Sequence, residues 1–100
     1  MMILLMPSPV ISAGPVNTMQ GSFEVQLPGV LDSLGRLCAF AYQAALESGL
    51  NEHTAWEIEL AVDEAATNII QHAYSPTRPG DVRLVCMREG SRFSVFLYDR

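Results

Sequence analysis

The sequence predicts an α/β (α+β) two-layer sandwich, with helices packed on one face of a mixed, mostly antiparallel sheet. Three observations lead there. Phe23-Glu24-Val25-Gln26-Leu27 alternates apolar and polar residues, the period of a half-buried strand. Two long stretches then carry apolar residues at spacings of three and four. Two runs rich in Val, Leu, Phe and Tyr follow, separated by Glu89-Gly90-Ser91, the composition of an antiparallel hairpin.

The first strand, over 23–27, ends at Pro28-Gly29. A helix is expected over 30–48, where Leu31, Leu34, Cys38, Ala41 and Ala45 share a face. Gly49 suits the position just past a helix, and Leu50 falls where a Schellman cap makes its apolar contact. A second helix is expected over 52–74. Asn51 is a good N-cap, and Glu52 complements the positive first turn. Ser75-Pro76 stops this helix, because a residue before proline avoids helical geometry. A turn-rich loop over 76–80 leads to strands over 82–87 and 93–98.

The chain has 100 residues, enough for one small domain. With 49% hydrophobic residues it builds a core rather than a disordered chain. Eleven acids against six bases give a formal charge of -5, which repels phosphate backbones and argues against direct nucleic-acid binding. Cys38 and Cys86 stand apart in apolar surroundings and form no Cys-x-x-Cys, so reduced, buried thiols in a cytoplasmic protein are expected. The apolar start Met1-Met2-Ile3-Leu4-Leu5-Met6 has no preceding basic residue and stops at Pro7, too short for a membrane span or a secretory core. Residues 1–22 are read as an irregular arm, with Met19 an alternative start, and 23–100 as the domain.

The second helix carries the chemistry. Ile58, Val62, Ala65, Ile69 and Ala73 form its core stripe. Glu64, Asn68 and His72 recur every four residues in a polar line bordering that stripe, with Glu57 on the same flank. No Lys or Arg occurs from Asn51 through Tyr74. An amide oxygen is a hard, neutral magnesium ligand, and a carboxylate one turn away is placed to orient or deprotonate an attacking hydroxyl. Zinc suits the set less, because Asn is not a zinc ligand and His53 and His72 are far apart. Trp56 is read as a packing or partner-contact residue rather than a base-stacking one.

The string Glu64-Ala65-Ala66-Thr67-Asn68-Ile69-Ile70-Gln71-His72-Ala73-Tyr74 resembles the N-box helix of the histidine-kinase-like GHKL ATPase superfamily. The preceding Glu59-Leu60-Ala61-Val62-Asp63 and the trailing His-Ala-Tyr are most similar to the anti-sigma factor serine/threonine kinases. The resemblance spans residues 23–100 and implies a Bergerat-type ATP-binding fold. It implies that Asn68 coordinates magnesium bridging the ATP phosphates, and that Glu64 is the catalytic base for transfer to a serine or threonine. His72 would shape the phosphate end of the nucleotide site. Asp99 falls where the family's Asp-x-Gly-x-Gly motif begins and would accept a hydrogen bond from the adenine amino group. The two glycines, the ATP lid and the later glycine-rich segment do not occur before Arg100, so the chain is expected to be the amino-terminal part of a longer domain. The implied cofactors are ATP and Mg. The implied partners are an anti-anti-sigma (STAS-type) protein, a sigma factor and a second copy in a homodimer, with no membrane partner. The alternative is a catalytically inactive partner-switching module of the same fold. A histidine kinase catalytic domain fits less well, for want of an upstream phosphoacceptor helix.

Overall fold

The computed structural model describes residues 3–7, 21–73, 80–90 and 92–99. The element order is β1 (Ile3–Pro7), β2 (Gly21–Pro28), a 3-10 turn (Leu31–Ser33), α1 (Leu34–Glu47), α2 (Glu52–Ala73), β3 (Asp81–Glu89) and β4 (Arg92–Asp99). The two-layer architecture is as expected. Residues 1–2, the stretch 8–20 that contains Met19, residues 74–79 with the expected Ser75-Pro76 stop and the loop after it, Ser91, Arg100, and the side chain of Ala73 lie outside the described residues.

The sheet is mostly antiparallel as expected: among the described residues its order is β1-β4-β3-β2 and every pairing is antiparallel, with no parallel pair to make it mixed. The cause lies in the helical connection. Pro28 at the end of β2 pairs with Asp81 at the start of β3, and the Gly29 amide donates to the Gly80 carbonyl at 2.7 Å. An antiparallel helix pair returns the chain to the end of the sheet it left, so the next strand runs back along β2. The arm is also not irregular throughout, because Ile3–Pro7 adds an edge strand to β4, from Ile3↔Tyr98 to Pro7↔Ser94. Its short apolar run satisfies the pattern of a strand, but with no alternation it carries no signal of which face is covered. Gly21 and Ser22, also assigned to the arm, open β2.

The first predicted helix begins with a 3-10 turn over Leu31–Ser33 before α1 proper. Leu37, Ala41, Ala44 and Ala45 are its most buried residues. Small side chains let α1 and α2 approach closely, since Ala55 and Ala66 on α2 are buried too. From the sheet, Leu27, Val82, Leu84, Cys86, Phe93, Val95 and Leu97 complete one continuous core. These positions alternate along their strands and fall on one face, which the helices cover. The opposite face carries Glu24, Arg83, Phe96 and Tyr98. The Arg83 Nε donates to Glu24 at 2.6 Å, and the Arg83 guanidinium lies 5.1 Å from the centre of the Tyr98 ring.

The junction of the helices is built as the sequence implies. Gly49 has φ 98°, a backbone state that glycine adopts without the cost a Cβ would bring. The Leu50 amide donates to the Ala45 carbonyl and the Gly49 amide to the Leu46 carbonyl, the two bonds of a Schellman motif. The Thr54 amide then donates to the Asn51 Oδ1 at 2.8 Å, capping α2. Among the described residues, no helix is long and apolar enough to cross a membrane.

Both cysteines are free and buried. Burial pushes the Cys38 thiol up to about 11, reinforced by the charges of Asp63 and Glu59 and by a hydrogen bond to Asp63. Burial also pushes Cys86 up to about 12. Because the thiolate is the nucleophile, at pH 8 the folded chain should react with an aromatic disulfide reagent roughly a hundredfold or more slowly than the urea-unfolded chain. Equal rates in a stopped-flow assay would contradict this burial. Gly49→Ala should lower stability by about 1 kcal/mol in urea unfolding, because alanine must adopt the left-handed backbone. The added methyl meets only the mobile tip of Arg88, at 2.9 Å, so a much larger loss would point to a rigid obstacle instead.

Candidate functional site

The chemistry-bearing residues divide between one helix and one strand end. On α2, Ala55, Ile58, Val62, Ala66, Ile69 and Ile70 are buried. Ala66 lies deeper than Ala65, which only packs partly against the core. The buried stripe is therefore turned away from the polar line relative to the sequence expectation. At about 100° per residue, Glu64 points away from Val62 and Ala66, on the outer side of the helix. Each step of four residues advances the line by about 40°, so it slants from the outermost side at Glu64 toward the core border at His72. It does not border the core along its whole length.

Glu64, Asn68 and His72 are all exposed. Exposure leaves their carboxylate, amide and imidazole groups open to a ligand without first disrupting the core. They stand on a single rigid helix of 22 residues, so the backbone sets their spacing. Three side chains on successive turns can present an acceptor, a neutral oxygen ligand and a ring nitrogen to one extended ligand. Glu57, assigned to the same flank, instead faces His53, with Nε2 and Oε2 3.6 Å apart.

Asp99 ends β4, opposite Val82 in the register. It is 8% exposed, on the side of the sheet that the helices cover. A carboxylate so nearly enclosed is costly to bury without partners, and Asp99 does make a polar interaction there. The structure thus groups Glu64, Asn68 and His72 on one surface and holds Asp99 separately, on a strand against which α2 packs.

Asp63 was assigned no role from sequence, yet its charge reaches Cys38 across the helix pair and helps to hold that thiol protonated. Its spacing from the core residues of α2 gave no sign of this, because the partner lies on a different helix. Among the described residues, no group of three or more His, Cys, Asp or Glu side chains gathers to hold a metal ion. A magnesium ion carried in with a phosphate ligand needs only one or two protein oxygens, and the exposed Asn68 amide supplies one such donor.

The family comparison bears on the same residues. The model of the histidine kinase-like ATPase domain matches residues 27–100, from the end of β2 through β4. No curated protein matches the chain. The matched span includes all four of Glu64, Asn68, His72 and Asp99, together with both helices that carry or support them. The chain therefore belongs to the histidine kinase-like ATPase family, whose members bind ATP, usually with magnesium.

Proposed function

We propose that the chain is the nucleotide-binding part of an anti-sigma factor that phosphorylates a serine or threonine on an anti-anti-sigma (STAS-type) partner and sequesters a sigma factor. One observation carries this reading: Glu64, Asn68 and His72 form an unobstructed line on α2, inside the span that matches the ATPase family. The sequence His72-Ala73-Tyr74 supports the serine/threonine kinase branch over the histidine kinases.

In this reading Asn68 offers its amide oxygen to magnesium, which when bound neutralises charge on the ATP phosphates. Glu64, one turn earlier, accepts the proton of the attacking hydroxyl or orients that hydroxyl toward the phosphate. His72, one turn later, bounds the phosphate end of the site. Asp99, on β4, accepts a hydrogen bond from the adenine amino group. Its depth in the sheet suits that role, since an enclosed carboxylate discriminates sharply between a donor and a non-donor. The protein acts in the cytoplasm as a homodimer, with residues 23–100 forming the ATPase domain.

Calorimetric titration of ADP should give binding that requires magnesium and is lost in EDTA. Asn68→Ala should weaken it at least about tenfold, the loss of one good ligand. Absence of ADP binding in the presence of magnesium would overturn the nucleotide reading. Glu64→Ala should leave ADP affinity unchanged while phosphotransfer to the anti-anti-sigma partner falls by about 10² to 10⁴. Phosphotransfer by the variant at the parent rate would remove Glu64 from the role of base.

A further inference from the structure

Trp56 and Leu60 precede Glu64 on the same four-residue repeat of α2, toward its amino-terminal end, before the line turns through Asn68 to His72. Trp56 is 50% exposed and Leu60 48% exposed, and they stand one turn apart. Large apolar side chains scattered singly on a surface need no explanation. These two adjoin, and one of them is tryptophan, a residue type that anchors interfaces when its ring is covered. The described residues leave the pair half open. The ring contact Trp56 makes is with His53, centroid to centroid at 6.2 Å.

Charge frames this seam on both sides. At about 100° per residue, Glu52, Glu59 and Asp63 fall on one flank of the Trp56–Leu60 line, and Glu57 and Glu64 on the other. Glu52, Glu57 and Asp63 are exposed and Glu59 is half-buried. α2 contains no lysine or arginine to offset them. An isolated exposed helix usually mixes both signs, because oppositely charged side chains one turn apart support it. An apolar seam flanked by one sign of charge is half of a helix-to-helix contact, in which the partner supplies apolar residues for the seam and the opposite charge at its edges.

We propose that the Trp56–Leu60 seam of α2 docks a basic amphipathic helix of a partner protein, its apolar side chains against Trp56 and Leu60 and its lysines or arginines against Glu57 and Asp63. A second copy of this chain is a poor occupant, because two such acidic seams would face like charge with like. Glu64 adjoins Leu60 one turn on, whereas Asn68 and His72 lie progressively further round the helix, so a docked helix meets the amino-terminal end of that line first. The inference does not rest on the nucleotide reading.

Trp56 is the only tryptophan in the chain, so its fluorescence reports this surface alone. The probe is a synthetic amphipathic helical peptide with a leucine seam flanked by lysines. The control is the same peptide with glutamate at every lysine position. Titrating the lysine peptide should move Trp56 emission to shorter wavelength, with an affinity that falls as salt rises. The glutamate peptide should produce no shift. Glu57→Lys combined with Asp63→Lys should raise the Kd for the lysine peptide about tenfold, and Leu60→Ser about fivefold. If circular dichroism shows the charge-reversed variant unfolded, Glu57→Gln with Asp63→Asn takes its place, and weaker binding is again required. No emission shift, an equal response to both peptides, or an affinity indifferent to these substitutions would overturn the proposal. So would a shift that depends on protein concentration without peptide, since that assigns the seam to a second copy.

Discussion

The turn between α1 and α2 is the constraint from which the rest of the structure follows. Four residues separate Glu47 from Glu52, and they must reverse the chain while satisfying two helix ends. Gly49 in the left-handed region closes the end of α1, and Asn51 supplies the oxygen that starts α2. With both ends held, the rotational phase of α2 over the sheet is set. Val62, Ala66 and Ile69 face inward, and Glu64 and Asn68 cannot follow them. The same reversal brings the chain back to the end of β2, which makes β3 its antiparallel neighbour.

Much of this was legible in local sequence. The Gly49-Leu50 cap and the Asn51 cap are short-range devices, complete within a few residues, and the structure forms both. The strand alternation of 23–27 and the hairpin around Gly90 are likewise local signals. The boundaries drift by a residue or two, as helix and strand ends do. What stayed hidden depends on partners distant in the chain. Ile3–Pro7 becomes a strand only because Ser94–Tyr98 is there to pair with it, and no periodicity within five apolar residues announces that. That β2 and β3 pair antiparallel was hidden for the same reason: it is set by the helix pair as a unit, not by any strand.

The site residues were named from their spacing, and the family match covers them, but spacing alone misplaced their surroundings. Taking Ala65 rather than Ala66 as the inward residue turned the predicted core stripe toward the polar line. Both are alanines, so the sequence holds no volume or polarity difference to choose between them. The choice falls to packing against α1, where the buried alanines Ala41, Ala44 and Ala45 allow close approach. Asp63 escaped notice in the same way, because Cys38, the thiol its charge acts on, sits on the other helix. On α2, then, the buried stripe, the Asp63 contact with α1, the line of Glu64, Asn68 and His72 and the half-exposed Trp56–Leu60 pair are held by one rigid rod.

The register of β1 against β4 bears on how the molecule is made. Ile3 pairs with Tyr98, so a strand lies beside one that leaves the ribosome only after both helices and the other two strands have been made. Until then the apolar segment Ile3–Pro7 has no sheet to join, while β2 can already meet β3. In that interval, a chaperone that shields short apolar segments awaiting a distant strand has its natural client.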